Sequence, residues 1–268
     1  MRSLILLTIL NLSVCCASGQ GDTSLRQVGI ITGDIVSFTV DNLDNVYLLS
    51  STNQLKKVDR NGDSVAVYND VKNYGQATLI DVSNPLKVLL YYRDFATIIV
   101  LDRLLNVRNT IDLRKSGIMQ AQAVGLSYDN KIWVFDEVEN KLKKIDEDGK
   151  LLLETPDFRQ LFDDAPVPQK IFDQDLHLYL YDSAQAVYVF DYYGTFRTKI
   201  QVQGWKNLRV GGSHIQGSMN NILFRYNLST LRTEQWPLPE TLSGATMFNF
   251  SQSRLYALHS GKIKVFEW

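Results

Sequence analysis

Between residues 36 and 266, short runs of Val, Ile, Leu, Tyr and Phe alternate with polar residues, and each run is bounded by Asp, Asn, Gly or Ser. A period of two puts successive side chains on opposite faces of a strand, and the bounding residues are those that turns select. In the first stretch this predicts strands at 36–40, 46–49, 54–58 and 64–68, joined by turns at 41–45, 50–53 and 59–62. The same order returns with strands at 131–135 and 141–145 and a fourth after 150, and again at 176–181, 186–190 and 195–202. A second unit is clear at 87–92 and 97–101. A fifth, around 214–227, is compressed, and its second strand is poorly defined.

Six of these strands end in one phrase, an apolar stretch running into an acidic residue or Asn: Asp59, Asp102, Asp146, Asp191, Asn227 and Glu267. Their separations are 43, 44, 45, 36 and 40 residues, a period that marks a propeller or a related array. Four strands per unit and six units predict an all-β, six-bladed β-propeller of four-stranded antiparallel blades. The sixth unit offers only three strands, at 246–250, 254–258 and 262–266, while a strand-like segment at 24–31 precedes the first complete unit. The last blade is therefore expected to be closed by the N-terminal strand, which removes an open junction. An outer-membrane barrel fits less well. Its strands need about nine to eleven residues, and Lys262 and Lys264 would share a lipid-facing side with Phe266 and Trp268.

The first nineteen residues carry one cation, Arg2, an apolar run at 4–12 and small residues at Ala17-Ser18-Gly19, as a secretory signal peptide does. The domains expected are thus 1–19, a signal peptide, and 20–268, the propeller, exported to a periplasm in a bacterium and otherwise secreted. A lipid anchor through Cys15 or Cys16 is the competing reading; Val14 stands where a lipobox has a small residue. Both cysteines lie in this segment, so a chain cleaved after Gly19 has no disulfide and no thiol chemistry. The balance of 28 Lys and Arg against 29 Asp and Glu, with no basic block, argues against nucleic acid as a partner. The mature chain is expected to hold no transmembrane segment.

No convincing catalytic set emerges. His177, His214 and His259 fall one each in units four to six, and Asp146-Glu147-Asp148-Gly149 lacks the ligand pattern of a calcium loop, so no metal and no cofactor is assigned. The candidate binding residues are Tyr92, Arg93, Asp94, Glu137 and Asp182, in loops between second and third strands, with Phe158 and Phe162 from the long insertion at 155–168. Aromatics beside Arg are the usual anchors of recognition surfaces, and long ordered loops are often binding loops. Phe158, Leu161 and Phe162 behind Pro156 are spaced for one helical turn, and their aromatics are expected to be exposed.

The phrases Asp44-Asn45-Val46-Tyr47 with Gln54 to Gly62, and Asp129-Asn130-Lys131-Ile132-Trp133-Val134 with Lys141 to Gly149, resemble the repeats of NHL-type six-bladed propellers. Units two and five lack the glycine turn, having Asp102-Arg103-Leu104-Leu105 and Asn227-Leu228-Ser229-Thr230. The resemblance implies the disc architecture and binding of proteins, peptides or other ligands on one face; it implies no single reaction. The expected function is a propeller binding module for a protein or peptide, an accessory of a periplasmic or outer-membrane assembly. The alternative is a metal-dependent hydrolase or lactonase-like propeller with carboxylates at the central channel.

Overall fold

The computed structural model describes residues 25–69, 74–251 and 253–267. The proposed signal peptide, both cysteines and Trp268 lie outside these residues. The described chain forms 24 strands. They are β1 (Arg26–Thr32), β2 (Ser37–Val40), β3 (Val46–Leu49), β4 (Leu55–Val58), β5 (Ser64–Tyr68), β6 (Leu79–Asn84), β7 (Lys87–Tyr92), β8 (Thr97–Asp102), β9 (Val107–Asp112), β10 (Ala121–Leu126), β11 (Ile132–Asp136) and β12 (Lys141–Ile145). There follow β13 (Leu151–Glu154), β14 (Lys170–Gln174), β15 (His177–Asp182), β16 (Ala186–Asp191), β17 (Phe196–Ile200), β18 (Lys206–Gly211), β19 (His214–Met219), β20 (Ile222–Asn227), β21 (Thr233–Pro237), β22 (Met247–Phe250), β23 (Arg254–His259) and β24 (Lys262–Glu267).

They assemble into six four-stranded antiparallel sheets: blade 1 is β2 to β5, blade 2 β6 to β9, blade 3 β10 to β13, blade 4 β14 to β17 and blade 5 β18 to β21. Blade 6 has the order β1-β24-β23-β22, so the N-terminal strand is its outer strand, with Gln27 opposite Phe266 and Ile31 opposite Ile263. The molecule is a six-bladed β-propeller closed through its N-terminus.

Burial follows position in the blade. Second and third strands lie between both neighbouring blades, so β7, β11 and β15 are almost wholly buried, whereas the outer strand β21 is exposed throughout. The apolar core is divided into wedges at the seams. Leu89, Tyr91 and Ile98 of blade 2 pack on Val124, Ile132 and Val134 of blade 3. Phe38 and Leu48 of blade 1 pack likewise on Tyr256 and Ile263 of blade 6. A blade buries its faces only with both neighbours in place.

The recurring Asp has a backbone cause. The Oδ1 of Asp59 accepts from the amides of Asn61 and Asp63, that of Asp102 from Leu104 and Asn106, that of Asp146 from Asp148 and Lys150, and that of Asp191 from Tyr193 and Thr195. Each caps the turn into the outer strand in place of a second backbone acceptor. Gly62, Gly149 and Gly194 supply the left-handed residue these turns need; in blades 2 and 5 Leu105 and Leu231 hold it, at φ 61° and 57°.

Blade 5 departs from the sequence reading, because β19 is a full six-residue strand. The blade is shortened in its turns: β18 and β19 are joined through Gly212-Ser213, and β19 and β20 through Asn220-Asn221, both at positive φ. Gly217 hides the strand pattern. A Cβ there would lie 3.0 Å from the Trp205 ring, so only glycine leaves room for the indole at this position.

Candidate functional site

Antiparallel blades sort their connections onto two faces. Turns between first and second and between third and fourth strands open on one, the turn face. Turns between second and third strands and the blade-to-blade connections open on the other, the connection face.

All seven sequence candidates belong to the connection face, but the structure does not gather them. Arg93, Asp94 and Glu137 sit at the seam of blades 2 and 3. Arg93 Nη2 donates to the Gln122 carbonyl at 2.9 Å and to Gln122 Oε1, Arg114 Nη2 to the Asp94 carbonyl at 3.1 Å, and Gln120 Nε2 to Glu137 Oε2 at 2.8 Å. Tyr92 is buried against Tyr74, with ring centres 5.3 Å apart. Asp182 is also buried and caps its own loop, accepting from the amides of Ala184 and Val167.

The exposure expected of the insertion aromatics is corrected. Phe158 is 0% exposed, stacked on Phe190 at 5.1 Å and 4° and packed on Phe135. Phe162 is half-buried and meets Tyr188 and Phe196 edge-on. Asp157 caps the short helix Phe158–Leu161, and the Phe158 amide donates to the Asn140 carbonyl, which drives the aromatic side inward between blades 3 and 4.

The turn face carries apolar residues for which the fold has no use. Around the channel mouth, consecutive blades 1 to 4 present Leu43, Leu86, Tyr128 and Leu176 from their inner turns, each between 63% and 66% exposed. Leu176 sits at φ 63° in the Asp175-Leu176 turn, and the exposed Leu231 at φ 57°. Left-handed backbone costs a residue with a Cβ about 1–2 kcal/mol, and such turns select Asn, Asp or Gly. On the connection face the described non-glycine residues at positive φ are Asn53, Ala96, Asn140, Asn207, Asn220, Asn221 and Ser260, with no leucine among them.

Beside Leu176 the seam of blades 3 and 4 holds a braced aromatic group. The Tyr128 and Tyr192 rings lie 4.5 Å apart. Lys144 Nζ lies 4.9 Å from the Trp133 ring centre and 5.6 and 5.8 Å from those of Tyr128 and Tyr192, and pairs with Asp129 at 2.8 Å. Asp173 on β14 fastens the group from below, accepting from Trp133 Nε1 at 3.0 Å, Ser127 Oγ at 2.7 Å and the Tyr192 hydroxyl at 2.8 Å. Burial, and then this bond to a carboxylate, push the Tyr192 hydroxyl well above the usual phenol range. Tyr193, next in the chain, is 84% exposed. Rigid, half-exposed aromatics are what interface anchors require. The sequence signal for them was an apolar residue inside a turn cluster, as in Ser127-Tyr128-Asp129-Asn130 and Asp175-Leu176.

First strands line the central channel, a cavity of about 790 Å³. Asp81 on β6 accepts from the Leu126 and Ser83 amides; burial raises its pKa above the ordinary carboxylate range, these bonds oppose the shift, and Asp173 adds to it. Lys170 and Arg209 also line the channel: Arg209 is half-buried, and desolvation lowers its pKa, whereas Lys170 is exposed to the channel interior. The three histidines do not converge: His177 and His214 begin their strands at the turn face, and His259 ends its strand at the other. Among the described residues no group of three or more His, Cys, Asp or Glu is placed to hold a metal.

No family model and no curated protein matches the chain. Solved structures share the fold at low identity. Virginiamycin B lyase from Staphylococcus aureus superposes with a TM-score of 0.60 at 14% identity, covering 91% of this chain and 99% of that one. BamB from Moraxella catarrhalis gives 0.54 at 13%, covering 91% and 98%. PorZ, a bacterial surface component of the type-IX secretion system of Porphyromonas gingivalis, gives 0.56 at 12%; the match covers 83% of this chain and 29% of PorZ. These likenesses concern the fold alone.

Proposed function

We propose that this chain is an exported propeller of NHL-like type that binds a protein partner on its turn face, as an accessory of a periplasmic or outer-membrane assembly. The observation that carries the reading is the pair of exposed leucines at left-handed φ, Leu176 and Leu231. Neither burial nor turn geometry favours leucine there, and residues held against local preference concentrate at functional sites. Leu43, Leu86 and Tyr128 extend the apolar ring across neighbouring blades, and Tyr193 adds an aromatic that little else covers. The spread over five blades suits a protein surface better than a small molecule. The signal-like N-terminus supports export, and PorZ is a fold relative from a bacterial surface assembly.

The test separates binding from folding. Leu176→Gly with Leu231→Gly removes two exposed side chains and relieves their backbone, so the melting temperature should hold or rise. The same double variant should retain the envelope partner at least about tenfold less well, while Val138→Ser with Leu161→Ser, on the connection face, should retain it as the unaltered protein does. Loss with the second pair and full retention with the first would refute the turn-face reading.

A further inference from the structure

The four lysines buried among the described residues all have acceptors. Lys57 Nζ donates to the Arg103 carbonyl, Lys87 pairs with Glu147 at 2.6 Å, Lys143 with Asp136 at 2.8 Å and Lys144 with Asp129 at 2.8 Å. Lys170 on β14 and Arg209 on β18 line the channel from neighbouring blades, Lys170 exposed to it and Arg209 half-buried, and neither side chain makes a hydrogen bond or ion pair with any described residue. The Arg209 Nη1 is buried and unpartnered. Asp41 and Asp44 favour its charge from a distance, but both are engaged: Asp41 holds the Leu43 and Asn45 amides and the Tyr47 hydroxyl, and Asp44 accepts from the Tyr256 hydroxyl. The channel carboxylates are occupied in the same way, Asp81 by the Leu126 and Ser83 amides and Asp173 by Trp133, Ser127 and Tyr192.

A charged donor buried without an acceptor, as Arg209 Nη1 is, costs more than a neutral one, while Lys170 holds its charge exposed to the same channel. Nothing in the blade architecture calls for either residue, since the seam of blades 4 and 5 is packed by Tyr179, Trp205, Leu208 and Val210. The cavity falls within the roughly 300–1,000 Å³ range of small-ligand sites. We infer that the central channel binds a small anion bearing carboxylate or phosphate groups, with Lys170 and Arg209 as its donors. This site is separate from the turn-face surface and does not depend on it.

Calorimetry and thermal melting of the mature protein, titrated with citrate and separately with inorganic phosphate against sodium chloride of matched ionic strength, test this. At least one anion should bind saturably and raise the melting temperature by about 5 °C at a hundredfold excess over Kd; citrate alone would mark a carboxylate ligand, phosphate alone a phosphate one. Lys170→Gln should weaken that binding at least about tenfold. Lys170→Met with Arg209→Met should abolish it and melt, without ligand, at or above the unaltered protein. The inference fails if neither anion exceeds the chloride control, or if the Lys170→Gln response is undiminished. It also fails if the double Met variant melts well below the parent, which would show the two cations to be parts of the wall.

Discussion

Deleting residues 25–32 is expected to lower the melting temperature of the entire ring by more than about 10 °C, and a peptide of the same sequence should restore most of the loss. The strand β1 supplies the outer edge of blade 6 and pairs along β24 from Arg26 opposite Glu267 to Thr32 opposite Lys262. Backbone hydrogen bonds contribute about 0.5–1.5 kcal/mol each net, so losing a ladder of this length removes a large part of the roughly 5–15 kcal/mol of a typical domain. The damage should spread, because Tyr256, Ile263 and Val265 of blade 6 complete the wedge that holds Phe38 and Leu48 of blade 1. A truncated protein that melts like the parent would show that β1 is an ornament on a ring already closed.

Phe158→Ala should cost about 3–5 kcal/mol, the usual loss for emptying a buried phenylalanine site. The ring is fully enclosed between Phe135, Phe190 and Phe162, and the insertion bearing it is pinned by the Asn140 carbonyl and the Asp157 cap. Little can collapse into the space. Phe162→Ala should cost less, since that ring is only half-buried. Chemical denaturation of the two variants checks the order, and equal small effects would mean that the insertion peels away from the blades without loss.

The sequence made the architecture legible because the propeller repeats its own causes. Alternating strands mark the blades, and the Asp that ends each third strand in blades 1 to 4 recurs because its carboxylate caps a turn. The short sixth unit and the spare N-terminal strand foretold the closure. Blade 5 was obscured by Gly217, whose missing side chain makes room for the Trp205 ring at the start of the paired strand, a contact that periodicity does not encode.

Faces were harder to read than blades. Aromatics at helical spacing behind Pro156 fit a turn that faces outward as well as one that faces inward, and only the seam of blades 3 and 4 decides for Phe158. Asp182 reads in the sequence as a binding residue of an open loop because capping leaves no pattern distinct from exposure. Conversely, Leu176 and Tyr128 sat in plain view within turn clusters, and the left-handed φ that makes Leu176 anomalous is a property of the backbone. Lys170 and Arg209 become unusual only when their neighbours are known.

The most direct measurement places a photo-crosslinking residue at Tyr193 on the turn face, and in a second protein at Val138 on the connection face, with each expressed in the native cell. Both positions are exposed, so either substitution should leave the fold intact. The account predicts one discrete protein adduct from position 193, lost when Leu176→Gly and Leu231→Gly are added, and none from position 138. A discrete adduct from position 138 with none from position 193 would contradict it.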